Sequence, residues 1–241
     1  MSLLEIRNNF IRKSGRYDLG TIDGEDNGAN WYINAGQRML DRRMTNDDLY
    51  AKRLGELEVG QYIKIFPQAK LIKDVWLINE SDGAIITLER REYSQIRDFY
   101  AKSFSSIDSG TPEYWCRAFV KLDQSLKIDD VPFAIDSMGE YVIDGTTGAN
   151  GIIITPPTDA AYRIDILGKF YNVNLTKDRD KNIWTESYPN VLLYAALYQL
   201  EVTHRNSTGA ADWLAAIDNE LIGIDMDSVE LDTSHIDKME G

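Results

Sequence analysis

The hydrophobic period of this chain changes twice along its length, and that change limits the folds open to it. At the N-terminal end Leu3, Ile6 and Phe10 recur at helical spacing, with Leu4 and Ile11 beside them. Between residues 59 and 92 the apolar residues alternate or run in β-branched and aromatic clusters instead, among them Tyr62, Ile63 and Ile65, then Val75, Trp76 and Leu77. From Asn182 the helical period returns. Pro189 suits a first helical turn, and Leu193, Ala196, Leu197 and Leu200 fall on one stripe. Helical ends around a strand-forming middle predict an α+β fold. The simplest such object is a helical bundle built from both chain ends, with an antiparallel β domain inserted between them.

Local signals mark the boundaries. Gly15–Gly28 reads as a loop, and a second helix carries Trp31–Leu40, with Arg38, Arg42 and Arg43 toward the negative end of its dipole. A short third helix is expected over Asp47–Leu57. Asn79-Glu80-Ser81-Asp82-Gly83 is a hairpin turn signal, and a helical interruption follows at Tyr93–Lys102. Strands resume at Tyr114–Leu122, Phe133–Ile135, Tyr141–Ile143, Ile152–Thr155 and Tyr162–Tyr171, for a module of roughly seven strands. Ser207 or Thr208 caps a final helix with Ala211, Leu214, Ile217 and Leu221. Beyond Gly223 the chain is acidic. Ile224/Met226 and Val229/Leu231 are spaced two apart there, which suits an extended arm that pairs with a partner. The expected divisions are 1–57 and 176–222 for the bundle, 58–175 for the β domain and 223–241 for the arm.

Charge bears on partners. A net charge of −13 over 241 residues is ill suited to holding nucleic-acid phosphates or anionic membrane, although acidic walls suit a channel through which DNA slides without sticking. No run approaches the roughly twenty apolar residues of a membrane helix. The N-terminus has no signal-peptide pattern, and Cys116 is the lone cysteine, which fits assembly in a reducing cytoplasm.

No motif argues for catalysis, a metal or a cofactor. Asp23-Gly-Glu-Asp-Asn-Gly28 begins like a calcium loop, but Asn34 stands where the bidentate carboxylate belongs. Its plainer role is an acidic loop favouring a helix N-terminus. Gly145–Gly151 lacks the Lys-Ser/Thr of a phosphate loop and reads as a hairpin loop. Asp108-Ser109-Gly110 has no second copy to form an aspartic dyad within the chain. His204 and His235 are isolated, and Cys116 beside Trp115 reads as a small buried apolar residue. The 39 acidic residues single out no catalytic pair, so a carboxylate-dependent hydrolase stays only as an alternative.

One ordered set of residues points to a family. Tyr162-Arg-Ile-Asp-Ile-Leu-Gly-Lys-Phe-Tyr171, Leu175-Thr176, Asn182-Ile-Trp184, and Glu186-Ser-Tyr-Pro-Asn-Val-Leu-Leu-Tyr-Ala-Ala-Leu197 resemble a C-terminal pattern of head–tail adaptor (connector) proteins of tailed, podovirus-like bacteriophages. Ala210-Ala-Asp-Trp-Leu-Ala215 resembles their last helix, and Trp31-Tyr-Ile-Asn-Ala-Gly-Gln-Arg-Met-Leu40 resembles their second. The resemblance covers the two helical ends and leaves the β region aside. It implies a structural virion protein of the neck, assembled in the host cytoplasm, that forms a dodecameric ring below the portal. Such a ring extends the DNA channel without binding DNA specifically and offers a platform for tail nozzle or tail tube proteins. It implies an arm over Gly223–Gly241 that docks on the portal protein, with Ile224, Met226, Val229 and Leu231 as apolar anchors. It also implies bundle and subunit packing through Trp31, Tyr188, Pro189, Leu193, Ala196, Leu197 and Leu200. A tail-side neck or tail-completion protein is the alternative within virions.

Overall fold

The computed structural model describes residues 1–20, 25–44, 50–66, 68–99, 107–120 and 149–233. The strands expected at Phe133–Ile135 and Tyr141–Ile143, and the end of the acidic tail, lie outside the described residues. In chain order the elements are α1 (Leu3–Ser14), a 3-10 turn (Tyr17–Leu19), α2 (Ala29–Arg43), β1 (Tyr50–Leu57), β2 (Ile63–Ile65), β3 (Ala69–Asn79), β4 (Ile85–Thr87), β5 (Glu89–Arg90), α3 (Tyr93–Phe99), β6 (Tyr114–Val120), β7 (Ala149–Thr155), β8 (Tyr162–Phe170), α4 (Ile183–Glu186), α5 (Pro189–Thr203) and α6 (Ser207–Thr233). The fold is mixed α+β. It divides into two compact units, residues 1–49 with 171–241, and residues 50–170.

In the helical unit, local chemistry sets the helix ends. Ser2 and Glu5 form a reciprocal capping box at the start of α1, and Gly15 ends it in the left-handed conformation at φ 69°. Pro189 is the first residue of α5, where its missing N–H costs no helical bond. The cap of α6 lies one residue before the expected pair, because the Asn206 side chain accepts the Gly209 N–H at 3.2 Å. α5 is apolar on nearly every side. Val191, Leu192, Leu193, Ala195, Ala196 and Leu197 are all buried, as suits a helix enclosed by its neighbours. Leu3, Ile6 and Phe10 of α1, Ile33 and Leu40 of α2, and Ile217 of α6 complete the same core.

Contact between α2 and α5 is close at one point. A Cβ on Gly36 would come within 2.8 Å of the Ala195 carbonyl carbon and the Ala196 nitrogen. Small residues on both helices are what let the two backbones meet there.

Two four-stranded sheets make up the β unit, in the orders β1-β8-β3-β4 and β2-β7-β6-β5. Their facing sides share one core: Val75, Leu77, Ile164 and Ile166 from the first, Trp115, Ile152 and Ile154 from the second. Alternation then sends Cys116 and Ile153 to the opposite face of the second sheet, where Ile96 of α3 joins them. The turn Asn79–Gly83 joins β3 to β4, with Gly83 at φ 72° and the Asn79 side chain accepting the Ser81 N–H.

Three expectations are corrected. Residues 50–57 form a strand and not the end of a short helix, because they pair antiparallel with β8 over eight residues from Tyr50↔Lys169 to Leu57↔Tyr162. β1 is an edge strand with Ala51–Leu54 exposed, so no alternation marks it. The β unit is not wholly antiparallel, since Glu89 and Arg90 of β5 run parallel to β6. Finally, residues 224–233 are no extended arm; they continue α6 as helix. Ile217, Leu221 and Ile224 recur at helical spacing, and Ile224 is 5% exposed in the helical core.

Replacing Gly36 with Val should lower the stability of the helical unit by about 2 kcal/mol, the usual cost of forcing bulk between packed backbones. Urea unfolding followed by far-ultraviolet circular dichroism measures it. A loss below about 0.5 kcal/mol would mean that α2 and α5 yield easily.

Candidate functional site

α2 presents three stripes, each with different surroundings. Ile33, Gly36 and Leu40 face the apolar core. Asn34, Gln37 and Asp41, also three and four residues apart, form a polar stripe that holds the segment 172–182. Trp31, Ala35, Arg38 and Arg42 form the third stripe and line a groove.

The polar stripe acts on the returning chain as a sheet edge would. The Asn34 amide donates to the Leu175 carbonyl at 2.9 Å and accepts the Leu175 N–H at 2.8 Å. Gln37, fully buried, donates to the Val173 carbonyl at 3.0 Å and accepts from the Asn182 side chain at 2.6 Å. Asp41, 3% exposed, accepts the Asn172 N–H at 2.9 Å, the Asn172 amide at 2.7 Å and the Trp184 indole N–H at 2.7 Å. A buried carboxylate needs such donors, and these backbone groups need partners once they leave water. From the other side, Leu3 N–H donates to the Asp180 carbonyl and Leu4 N–H to the Asp178 carbonyl, both at 3.1 Å. Arg7, 2% exposed, pairs with the Asp178 carboxylate.

The groove is a cleft of about 750 Å³ between α2 and α5, closed at one side by Leu214 of α6. Its walls combine arginines with apolar surface: Arg38, Arg42 and Arg43 from α2, Tyr198 and Val202 from α5. Arg38 donates to the Asn174 side chain at 3.2 Å, and Arg43 pairs with Asp218 at 2.6 Å. Trp31 stands 62% exposed at the rim, edge-on to the Tyr32 ring at 4.9 Å between centroids. In a chain of net charge −13 this is a local reversal of sign.

The residues singled out from the sequence scatter across these features. Leu193, Ala196, Leu197 and Leu200 are buried in the helical core. Tyr188 precedes Pro189, its ring 6.0 Å from that of Trp184. Trp31 belongs to the groove. Of the four arm residues, Ile224 is buried in the chain's own core and Met226 is 62% exposed, while the side chains of Val229 and Leu231 lie outside the described residues. Sequence reasoning missed Asn34, Gln37 and Asp41. Their spacing of three and four along one helix was the available signal.

The sequence's chemical candidates resolve individually. Asp26 accepts the Asn30 N–H at 2.9 Å and so helps start α2, whereas Asp23 and Gly24 lie outside the described residues. Asp108 is exposed. The Cys116 thiol is buried, which pushes its pKa up to about 11 and leaves little thiolate at neutral pH. His204 caps α5, and His235 lies outside the described residues. Among the described residues no group of three or more His, Cys, Asp or Glu could hold a metal ion. No helix among them is long and apolar enough to cross a membrane. Among the described residues, Asp18, Asp159 and Asp180 are the carboxylates with resolved shifts. All three are held below the ordinary range by hydrogen bonds, opposite to what a general acid needs.

No protein-family model matches the sequence, and no curated protein matches it significantly.

Two outcomes follow from these contacts. Asp41→Ala leaves several buried donors without an acceptor and should cost about 3 kcal/mol in urea unfolding, with Asp41→Asn intermediate. A loss under about 1 kcal/mol for the alanine variant would sink the assigned role. Asp18 is held at about 2 by its bidentate bond from Arg16. Its contribution is therefore present above the ordinary carboxylate range and lost as pH falls toward that value. The gap in unfolding midpoint between wild type and Asp18→Asn should be constant near neutrality and close on acidification. It should also be small, because the pair is exposed.

Proposed function

We propose that this chain is a head–tail adaptor, a structural protein that forms a ring below the portal of a tailed bacteriophage, extends the DNA channel and carries the tail. One observation carries the reading. Residues behind the resemblance, distant in sequence, meet in one core: Asn182 bonds Gln37, Ala195 and Ala196 pack on Gly36, and Trp184 bonds Asp41, the residue that follows the resembling stretch of α2. Each motif alone suits any bundle, whereas their mutual contact gives their order and spacing a shared structural purpose. In this reading the helices from both chain ends form a bundle, and the acidic surface lets DNA pass without adhering.

The portal contact then differs from an extended arm. Ile224 serves the chain's own core, which leaves Val229 and Leu231 as the apolar anchors for the portal. Helix through Thr233 also favours a second reading, a tail-side neck protein, because such a protein needs no arm for the portal.

Co-assembly separates the two. Full-length chain mixed with the portal ring encoded beside it should give, by native mass spectrometry, one copy per portal subunit, and Val229→Asp with Leu231→Asp should weaken that complex with unchanged circular dichroism. A chain that ignores the portal but binds a tail tube or nozzle protein would favour the tail-side reading. Truncation at Gly223 is unsuitable, since it removes Ile224 from the core.

A further inference from the structure

We infer that the groove along α2 receives the far end of α6 from a second copy of this chain, so that copies join head to tail. The groove collects Arg38, Arg42 and Arg43 around apolar surface that includes exposed Trp31 and Val202. A surface that fits it must be acidic and apolar together. The end of α6 has that character. Ile222 and Met226, four residues apart on one face, are 53% and 62% exposed, and Asp225 lies exposed beside them. This face is distinct from the stripe of Ile217, Leu221 and Ile224 that α6 turns to its own core.

The groove cannot be filled by the same chain's helix end. Leu214 of α6 already forms one wall of the cleft. Ile222 and Met226 lie eight and twelve residues further on, roughly 12 and 18 Å along the axis of an unbroken helix. The occupant must therefore come from another copy. Because a basic patch meets a different, acidic patch, the contact is heterologous, and a repeated heterologous contact closes into a ring or runs on as a filament. Only the expectation of closure rests on the adaptor reading.

Charge exchange tests the contact on the full-length chain. Sedimentation velocity over a concentration series should show wild type self-associating. Arg38→Glu with Arg42→Glu, and separately Asp225→Lys with Met226→Lys, should each weaken association at least about tenfold with unchanged circular dichroism. An equimolar mixture of the two variants pairs the intact groove with the intact helix end, and the exchanged groove with the exchanged helix end, and should therefore form heterodimers that grow into larger alternating assemblies. A chain carrying all four changes should recover association, since the exchanged charges again oppose one another. A monomeric wild type, variants that associate like wild type, or mixtures without heterodimer would overturn the inference. So would a groove variant that loses single-stranded DNA binding while self-association persists, because the groove would then serve nucleic acid. Expected self-association without portal binding would instead overturn the adaptor reading and leave this contact standing.

Discussion

The helical unit depends on one buried polar arrangement, the grip of Asn34, Gln37 and Asp41 on the chain between Asn172 and Trp184. When the chain leaves β8 it enters a helical environment that offers no neighbouring strand. Its N–H and C=O groups must still find partners once buried. α2 supplies them from side chains, at the spacing that keeps three residues on one helix face. Once Asn172 and Trp184 are fixed on Asp41, the position of α4 follows, and Pro189 starts α5 only a few residues later. A network of this kind is costly when incomplete and specific when complete, so it selects one arrangement of helices from the many that an apolar core alone would tolerate.

The stripes of α2 divide the work of that arrangement. The apolar one admits α5 to backbone contact at Gly36, which needs small residues on both sides. The polar one ties together segments separated by more than a hundred residues. The third leaves arginines and a tryptophan at a cleft in an otherwise acidic chain. A stripe that borders a cleft, with its tryptophan largely exposed, can meet something outside the fold. The two exposed faces that complement each other in charge, this groove and the outer face of α6, belong to the same chain. That is the condition for assembly from a single component.

Much of the helical unit was legible from period alone. α1, α2 and α5 follow Leu3/Ile6/Phe10, Ile33/Leu40 and Leu193/Ala196/Leu197/Leu200, because burial of one stripe leaves its mark at helical spacing. The β3–β4 hairpin was legible because Asn79–Gly83 carries its own turn chemistry. β1 was not, since an exposed edge strand has no buried face to impose alternation, and only its partner β8 defines it. The last turns of α6 were misread because Ile224/Met226 and Val229/Leu231 match a spacing of two locally. The longer stripe from Ile217 through Leu221 to Ile224 is the one that burial selects.

The sequence by itself determined the class of fold, the helical character of both ends, the acidic surface and the lack of any recognisable catalytic motif. These are properties of local pattern and composition, which act residue by residue. Tertiary structure alone decided that Asn34, Gln37 and Asp41 would hold a segment some 140 positions away. It also decided that Ile224 would belong to the core and Met226 to the surface, and that Arg38 and Arg42 would share a cleft with Val202. Hydrogen bonds and clefts arise between elements, and their partners are named only when packing brings distant backbone together.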